Sequence, residues 1–254
     1  MGTSSDTLAS LLALSHELGR EERGLAILGE GNTSARLDGE TFAVKSSGKN
    51  LATLGLDGLS ECRFDRILPL FDEHGLSDTA IDDRLLASRV KPEQGKPSVE
   101  ALFHAFFLTL PGVDYVGHAH ATTVNAILCS PRARDFAENR LFPDEIVCCG
   151  PASVYIPYTD PGLPLAVAIR EATRGFIDKH GQAPRVVLLE NHGIVTLGAN
   201  PKAVLAAMLM AEKAAKIFVH AAALGGPVFL TPEQIVRISG RPDEHYRQRA
   251  LGMK

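Results

Sequence analysis

Apolar and polar positions along this 254-residue chain switch between helical and strand periods, and each switch marks an element. Leu8, Leu11, Leu12, Leu14 and Leu18 recur at helical spacing behind a Ser/Asp cap signal, which predicts a helix over Asp6 to Arg20. Gly29-Glu30-Gly31-Asn32-Thr33-Ser34 is too rich in glycine and small polar residues for a regular element. Phe42 to Lys45 reads as a short strand stopped by Ser46-Ser47-Gly48-Lys49. Asp82 to Val90 reads as helical, and Val99 to Leu108 as a further helix with Ser98 as its N-cap. The β-favouring run Val113 to Val116 leads into Gly117-His118-Ala119-His120. Beyond it the pattern predicts a helix over Thr122 to Leu128, a strand over Glu145 to Cys149 and a helix over Leu163 to Lys179. Val186 to Leu189 is a strand, Glu190 to Gly193 a turn, and Ile194 to Leu197 the returning strand. Pro201 to Ala223, rich in Ala, Leu, Met and Lys, is a long helix.

Strands and helices interleave, and several strands are apolar throughout, as expected when both faces of a sheet are covered. This predicts a three-layer α/β fold. No repeat, low-complexity tract or linker divides the chain, so residues 1–254 are expected to form one domain, with a core over about 7–223 and a helical tail over 224–254. Composition adds exclusions. A net charge of -4 gives no basic footprint, which argues against nucleic acid as the main partner. No apolar run approaches the roughly 18 residues that cross a membrane. The N-terminus, Met1 to Asp6, has neither the charged nor the apolar part of a secretory signal. Cys62, Cys129, Cys148 and Cys149 show no disulfide framework, and the adjacent pair inside an apolar run reads as reduced thiols. A cytoplasmic protein is expected.

The chemistry concentrates at a few positions. In a strand, residues two apart share a face, so His118 and His120 emerge side by side and make half of a zinc-type site. Two half-buried histidines at a strand end would carry the same spacing. His192, where an apolar strand breaks at Asn191-His192-Gly193, is a third candidate ligand, or a turn histidine without a special role. Glu100 suits either a carboxylate ligand or a first-turn capping residue. The loops Gly29–Ser34 and Ser46–Lys49 offer backbone N–H groups and hydroxyls, Ser98 opens a helix, and Lys49 adds charge: the parts of an anion site. They are equally the parts of two hairpin-type turns. Neither matches a dinucleotide or P-loop fingerprint, since Gly29-x-Gly31-x-x-Ser34 lacks the third glycine and Gly48-Lys49 lacks the upstream one.

Taken in order, Gly31-Asn32-Thr33-Ser34, Ser46-Ser47-Gly48, Pro97-Ser98-Val99-Glu100, Gly117-His118-Ala119-His120 and Asn191-His192-Gly193 resemble the class II aldolase/adducin family, from about Thr7 to Ala223. The resemblance implies an αβα sandwich with a central mixed, largely antiparallel sheet, in a homotetramer with sites at subunit interfaces. It implies that His118, His120 and His192 hold Zn2+, or another divalent ion such as Mn2+ or Co2+. Glu100 would be a further ligand and the general base, and its being Glu rather than Asp favours the aldolase branch over the epimerase. Asn32, Ser47, Gly48 and Ser98 would bind a substrate phosphate, with Lys49 beside them. The expected activity is a metal-dependent lyase, an aldolase on a phosphorylated ketose working through a metal-stabilised enediolate. The alternatives are a decarboxylase of an anionic keto acid on the same scaffold and a non-catalytic oligomerisation module. Two departures bear on substrate: Val99 stands where the family has a second phosphate-binding Ser, and Leu141 to Glu145 lacks the family's proton-donating Tyr, for which Tyr158 and Tyr246 are weak substitutes.

Overall fold

The structure, a computed structural model, describes residues 3–253; Met1 and Gly2, part of the N-terminus read above, lie outside the described residues. Thr3 opens the first helix, α1 (Ser4–Leu18): its hydroxyl accepts the Asp6 N–H while the Asp6 carboxylate accepts the Thr3 N–H, a reciprocal cap. The chain continues through β1 (Asn32–Arg36), β2 (Thr41–Lys45) and β3 (Leu59–Arg63) into helices α2 (Phe64–Ile67), α3 (Asp78–Ala87) and α4 (Ala101–Leu108). Next come β4 (Tyr115–Ala119), α5 (Thr122–Leu128), α6 (Ala133–Glu138), α7 (Pro143–Cys149), β5 (Val154–Ile156) and α8 (Leu163–His180). The remainder is β6 (Val186–Leu189), β7 (Gly193–Gly198), α9 (Pro201–Ala222), α10 (Pro232–Ser239) and α11 (Pro242–Ala250).

The seven strands form one sheet in the order β3-β2-β1-β4-β7-β6-β5, antiparallel everywhere except between β5 and β6. Period-2 alternation divides its side chains between two cores. Val116, Val187, Leu189, Val195 and Leu197 pack under α4 and α8, while Ala119, Val186, Leu188 and Ile194 face a core that α5, α7 and α9 complete. Gly117 is where the second layer comes closest: a Cβ there would lie 2.9 Å from both Leu18 and Val204 side chains. The arrangement is the expected three-layer αβα sandwich around a mixed, largely antiparallel sheet. Among the described residues no helix is long and apolar enough to cross a membrane.

Three local expectations are corrected. Glu145–Cys149 is the body of α7, not a strand: Pro143 occupies the first turn with Asp144 and Glu145, and the Glu145 carboxylate accepts the Leu141 N–H. The second half of the glycine-rich segment Gly29–Ser34 is strand β1, paired with both β2 and β4. Its small polar side chains are absorbed by hydrogen bonds, Thr33 with Ser15 of α1 at 2.6 Å and Ser34 with His104 of α4 at 2.6 Å. Ser98 precedes a turn rather than capping the helix: Glu100 holds the cap position of α4, and the Ser98 hydroxyl accepts the Glu100 N–H at 3.3 Å.

Candidate active site

Strand register assembles the site. Asn32 of β1 lies opposite His118 of β4, and His118 opposite Val195 of β7, so the residues at these paired positions project on one sheet face. Helix α4 crosses that face, with Glu100 just before its first residue. His120 follows the end of β4, and His192 sits in the turn joining β6 to β7. Asn191 takes a left-handed backbone there, φ 54°. Gly193 allows the turn to close on the strand, since a Cβ would lie 2.6 Å from the Ala119 carbonyl oxygen and 2.9 Å from the His120 ring.

One ring nitrogen each of His118, His120 and His192 lies within 4.8 Å of the other two. His118 donates from Nδ1 to the Ile194 carbonyl at 3.0 Å, which leaves Nε2 facing the cluster. Burial disfavours charge on this ring, but the Glu100 carboxylate outweighs it and raises the His118 pKa. Glu100 Oε1 stands 3.1 Å from His192 Nε2 and 3.4 Å from His118 Nε2. The second contact has the distance of an ion pair without the alignment of a hydrogen bond. His118 Nε2 and, on the other side of its ring from the Glu100 contact, His192 Nδ1 are buried nitrogens with no hydrogen-bond partner among the described residues. Three converging imidazoles, two of them with orphaned nitrogens, beside a carboxylate fit a divalent cation of the zinc type. Burial disfavours charge on Glu100, but His118 and His192 outweigh it and hold this carboxyl well below its ordinary range. Burial and the two neighbouring imidazoles push His120 down, towards the neutral form a metal requires.

Behind these candidate ligands lies a network that sequence reasoning missed. Asn32 Nδ2 donates to Glu100 Oε2, and Asn32 Oδ1 faces Nε2 of the fully buried His104. Burial takes the His104 pKa down to about 3. The legible signal was the Glu100-x-x-x-His104 spacing, which puts both on one side of a helix. Lys45 was missed too. Its buried ammonium donates to the Gly29 carbonyl at 3.1 Å and the Lys49 carbonyl at 2.6 Å, joining the two glycine loops from behind. Glu30 Oε1 adds a carboxylate 3.6 Å from His120 Nδ1.

The anion-site candidates are brought together in part. A Cβ on Gly29 would lie 3.6 Å from Gly48, so the loops touch, and the Ser47 N–H donates to the Lys96 carbonyl just before Pro97-Ser98. Gly48 takes a left-handed φ of 76° with open space before it. Lys49 Nζ turns outward to Asp57 at 3.2 Å. Val99 packs against the core, and a Cβ on Gly162 would sit 3.7 Å from its side chain. Tyr158 and Tyr246 are both exposed.

The sequence and the fold are similar to those of known proteins. The Class II Aldolase and Adducin N-terminal domain model matches residues 9–219. A Bacillus subtilis (strain 168) protein called uncharacterized oxidoreductase YuxG is 30% identical over 185 residues, 70% of this chain. The chain spans 24% of that relative's length. The 3-oxo-tetronate 4-phosphate decarboxylase of Haemophilus influenzae (strain ATCC 51907 / DSM 11121 / KW20 / Rd) is 30% identical over 188 residues, covering 72% of this chain and 75% of its own. Among solved structures, an L-fuculose 1-phosphate aldolase superposes with a TM-score of 0.69 at 22% identity, over 96% of this chain and 97% of the other.

Proposed function

Because the chain belongs to the class II aldolase and adducin family, we propose that it is a metal-dependent carbon–carbon lyase, an aldolase acting on a phosphorylated ketose. The observation that carries this reading is the convergence of His118, His120 and His192 on one point with Glu100 Oε1 beside them. A divalent cation held there supplies a positive charge next to a substrate oxygen that becomes negative as the carbon–carbon bond breaks. The remaining work falls to side chains. Glu100, anionic and partly desolvated, takes the proton of the substrate hydroxyl whose C–O becomes the product carbonyl. Asn32 holds Glu100 Oε2 and keeps a second Nδ2 proton for the substrate. Ser47, Gly48 and Ser98 receive the substrate phosphate, with Lys45 fixing the two loops. Lys49 adds charge at the rim. The active form in this reading is a cytoplasmic homotetramer.

A decarboxylase of a phosphorylated keto acid is the second reading, favoured by the 30% identity to such an enzyme over most of both chains. Val99 in place of a hydroxyl donor, and no Tyr in Leu141 to Glu145, suit a changed substrate end as well. Both reactions leave negative charge on an oxygen beside the broken bond, so the same cluster serves either. The intact ligand set speaks against a non-catalytic module. The test is metal analysis of the purified protein, followed by a screen of ketose 1-phosphates and keto-acid phosphates with separate detection of aldehyde and carbon dioxide. Aldehyde release abolished by Glu100→Gln supports the aldolase; carbon dioxide release that largely survives it supports the decarboxylase. Activity indifferent to chelator and to His120→Ala would sink both.

A further inference from the structure

Helix α4 adds one more imidazole behind the three of the cluster. His104 lies one turn after Glu100, fully buried between the helix and the sheet, with its ring stacked on Phe103 at 5.0 Å between centroids. Both ring nitrogens are engaged, Nε2 with Asn32 Oδ1 and Nδ1 with Ser34 Oγ at 2.6 Å. Donor and acceptor roles follow by elimination. An ionised carboxylate only accepts, so Asn32 must turn its Nδ2 to Glu100 Oε2 and its Oδ1 to His104. His104 therefore donates from Nε2, and its Nδ1 accepts the Ser34 hydroxyl proton.

We infer that His104 is a positioning residue for the metal centre: with Ser34 it fixes the Asn32 amide, which ties down Glu100 Oε2 and leaves Oε1 alone to face the histidines. This rests on the reading of Glu100 as a metal ligand. The physical reason is the cost of a buried acceptor without a donor. With an apolar side chain at position 104, Asn32 Oδ1 has no N–H to meet. The amide gains by turning towards another donor, and its own N–H leaves Glu100. The carboxylate is then free to rotate, and both oxygens compete for the cluster. Ser34 acts one step further back, by holding the proton of His104 on Nε2. Groups behind a ligand that set its orientation typically change metal affinity by about 10- to 100-fold.

The test uses the full-length, metal-free protein titrated with Co2+ and Zn2+ against a competing chelator, with the visible spectrum of the Co2+ form as a second readout. His104→Leu is expected to weaken binding about 10- to 100-fold and to alter the Co2+ bands. His104→Gln restores both, since its amide can donate to Asn32 and accept from Ser34. Glu100→Gln weakens binding on its own, and adding His104→Leu to it changes nothing further, because the two act through one carboxylate. Ser34→Ala gives a smaller loss in the same direction and serves if the leucine variant does not fold. Wild-type affinity and spectrum in His104→Leu overturn the inference, as does an undiminished His104→Leu loss in the Glu100→Gln background. A wild-type protein that binds neither ion overturns the underlying reading of the cluster instead.

Discussion

His104 and Glu100 are four residues apart and respond to burial in opposite ways. Glu100 is buried with its charge because two imidazoles face it; His104 is buried without one because both its partners are neutral. A histidine whose folded-state pKa is depressed to about 3 leaves the unfolded chain to bind the proton first. Its contribution to stability is therefore complete above the ordinary value of 6.5 and is lost as pH falls from there towards 3. The steepest loss for one proton is about 1.4 kcal/mol per pH unit. His104→Gln keeps the hydrogen bonds and removes the titration. Urea midpoints measured on the metal-free protein between pH 7 and pH 4 should fall less steeply for this variant than for the wild type. Parallel pH dependences would show that His104 is not the buried group that charges.

At the scale of elements, stability and function meet where α5 leaves the site. This helix starts two residues after His120, and its N-cap residue Ala121 offers no side-chain acceptor. Glu212 of α9 supplies one from across the layer: its carboxylate accepts the Thr123 hydroxyl and the Val124 N–H, the latter at 3.3 Å. A carboxylate at a helix N-terminus also gains from the helix dipole. Glu212→Ala should cost about 1–2 kcal/mol in chemical denaturation, with Glu212→Gln recovering part of it. Zn2+ affinity should stay unchanged, since Glu212 meets none of the histidines. The sequence exposes some elements better than others for a related reason. α9 and β6 announce themselves through long apolar periodicity, and the His118–His120 pair through strand parity. β1 carries no apolar pattern because Thr33 and Ser34 are held by hydrogen bonds to helices that become neighbours only on folding. α7 was hidden by the β-favouring Ile146-Val147-Cys148-Cys149, although Pro143-Asp144-Glu145 already spelled a helix start. At the site, the four ligand candidates were legible by residue type and spacing, whereas Lys45 reads as an ordinary strand residue until both loops are seen to fold over it.

Across the whole molecule the candidate ligand set joins parts of the chain that are far apart in sequence. Glu100 precedes α4, His118 lies in β4 and His120 just after it, and His192 follows β6, so an ion bound there would tie one helical layer to the middle of the sheet. No one of these segments brings the ligands together alone, and an unfolded chain has no comparable cluster. Metal binding is then folding free energy. Free Zn2+ at about a hundred times its dissociation constant adds roughly 2.7 kcal/mol to the folded state, which in a domain of this size corresponds to a rise of roughly 5–10 °C in melting temperature. Calorimetric scans of the metal-free and Zn2+-loaded protein should show that rise as a shift of the main transition. The shift should grow with the logarithm of free Zn2+, vanish on chelation and be nearly absent in His120→Ala. A transition that ignores Zn2+ would mean the cluster is only packing between helix and sheet. A shift that persists in His120→Ala would move the binding site away from these histidines.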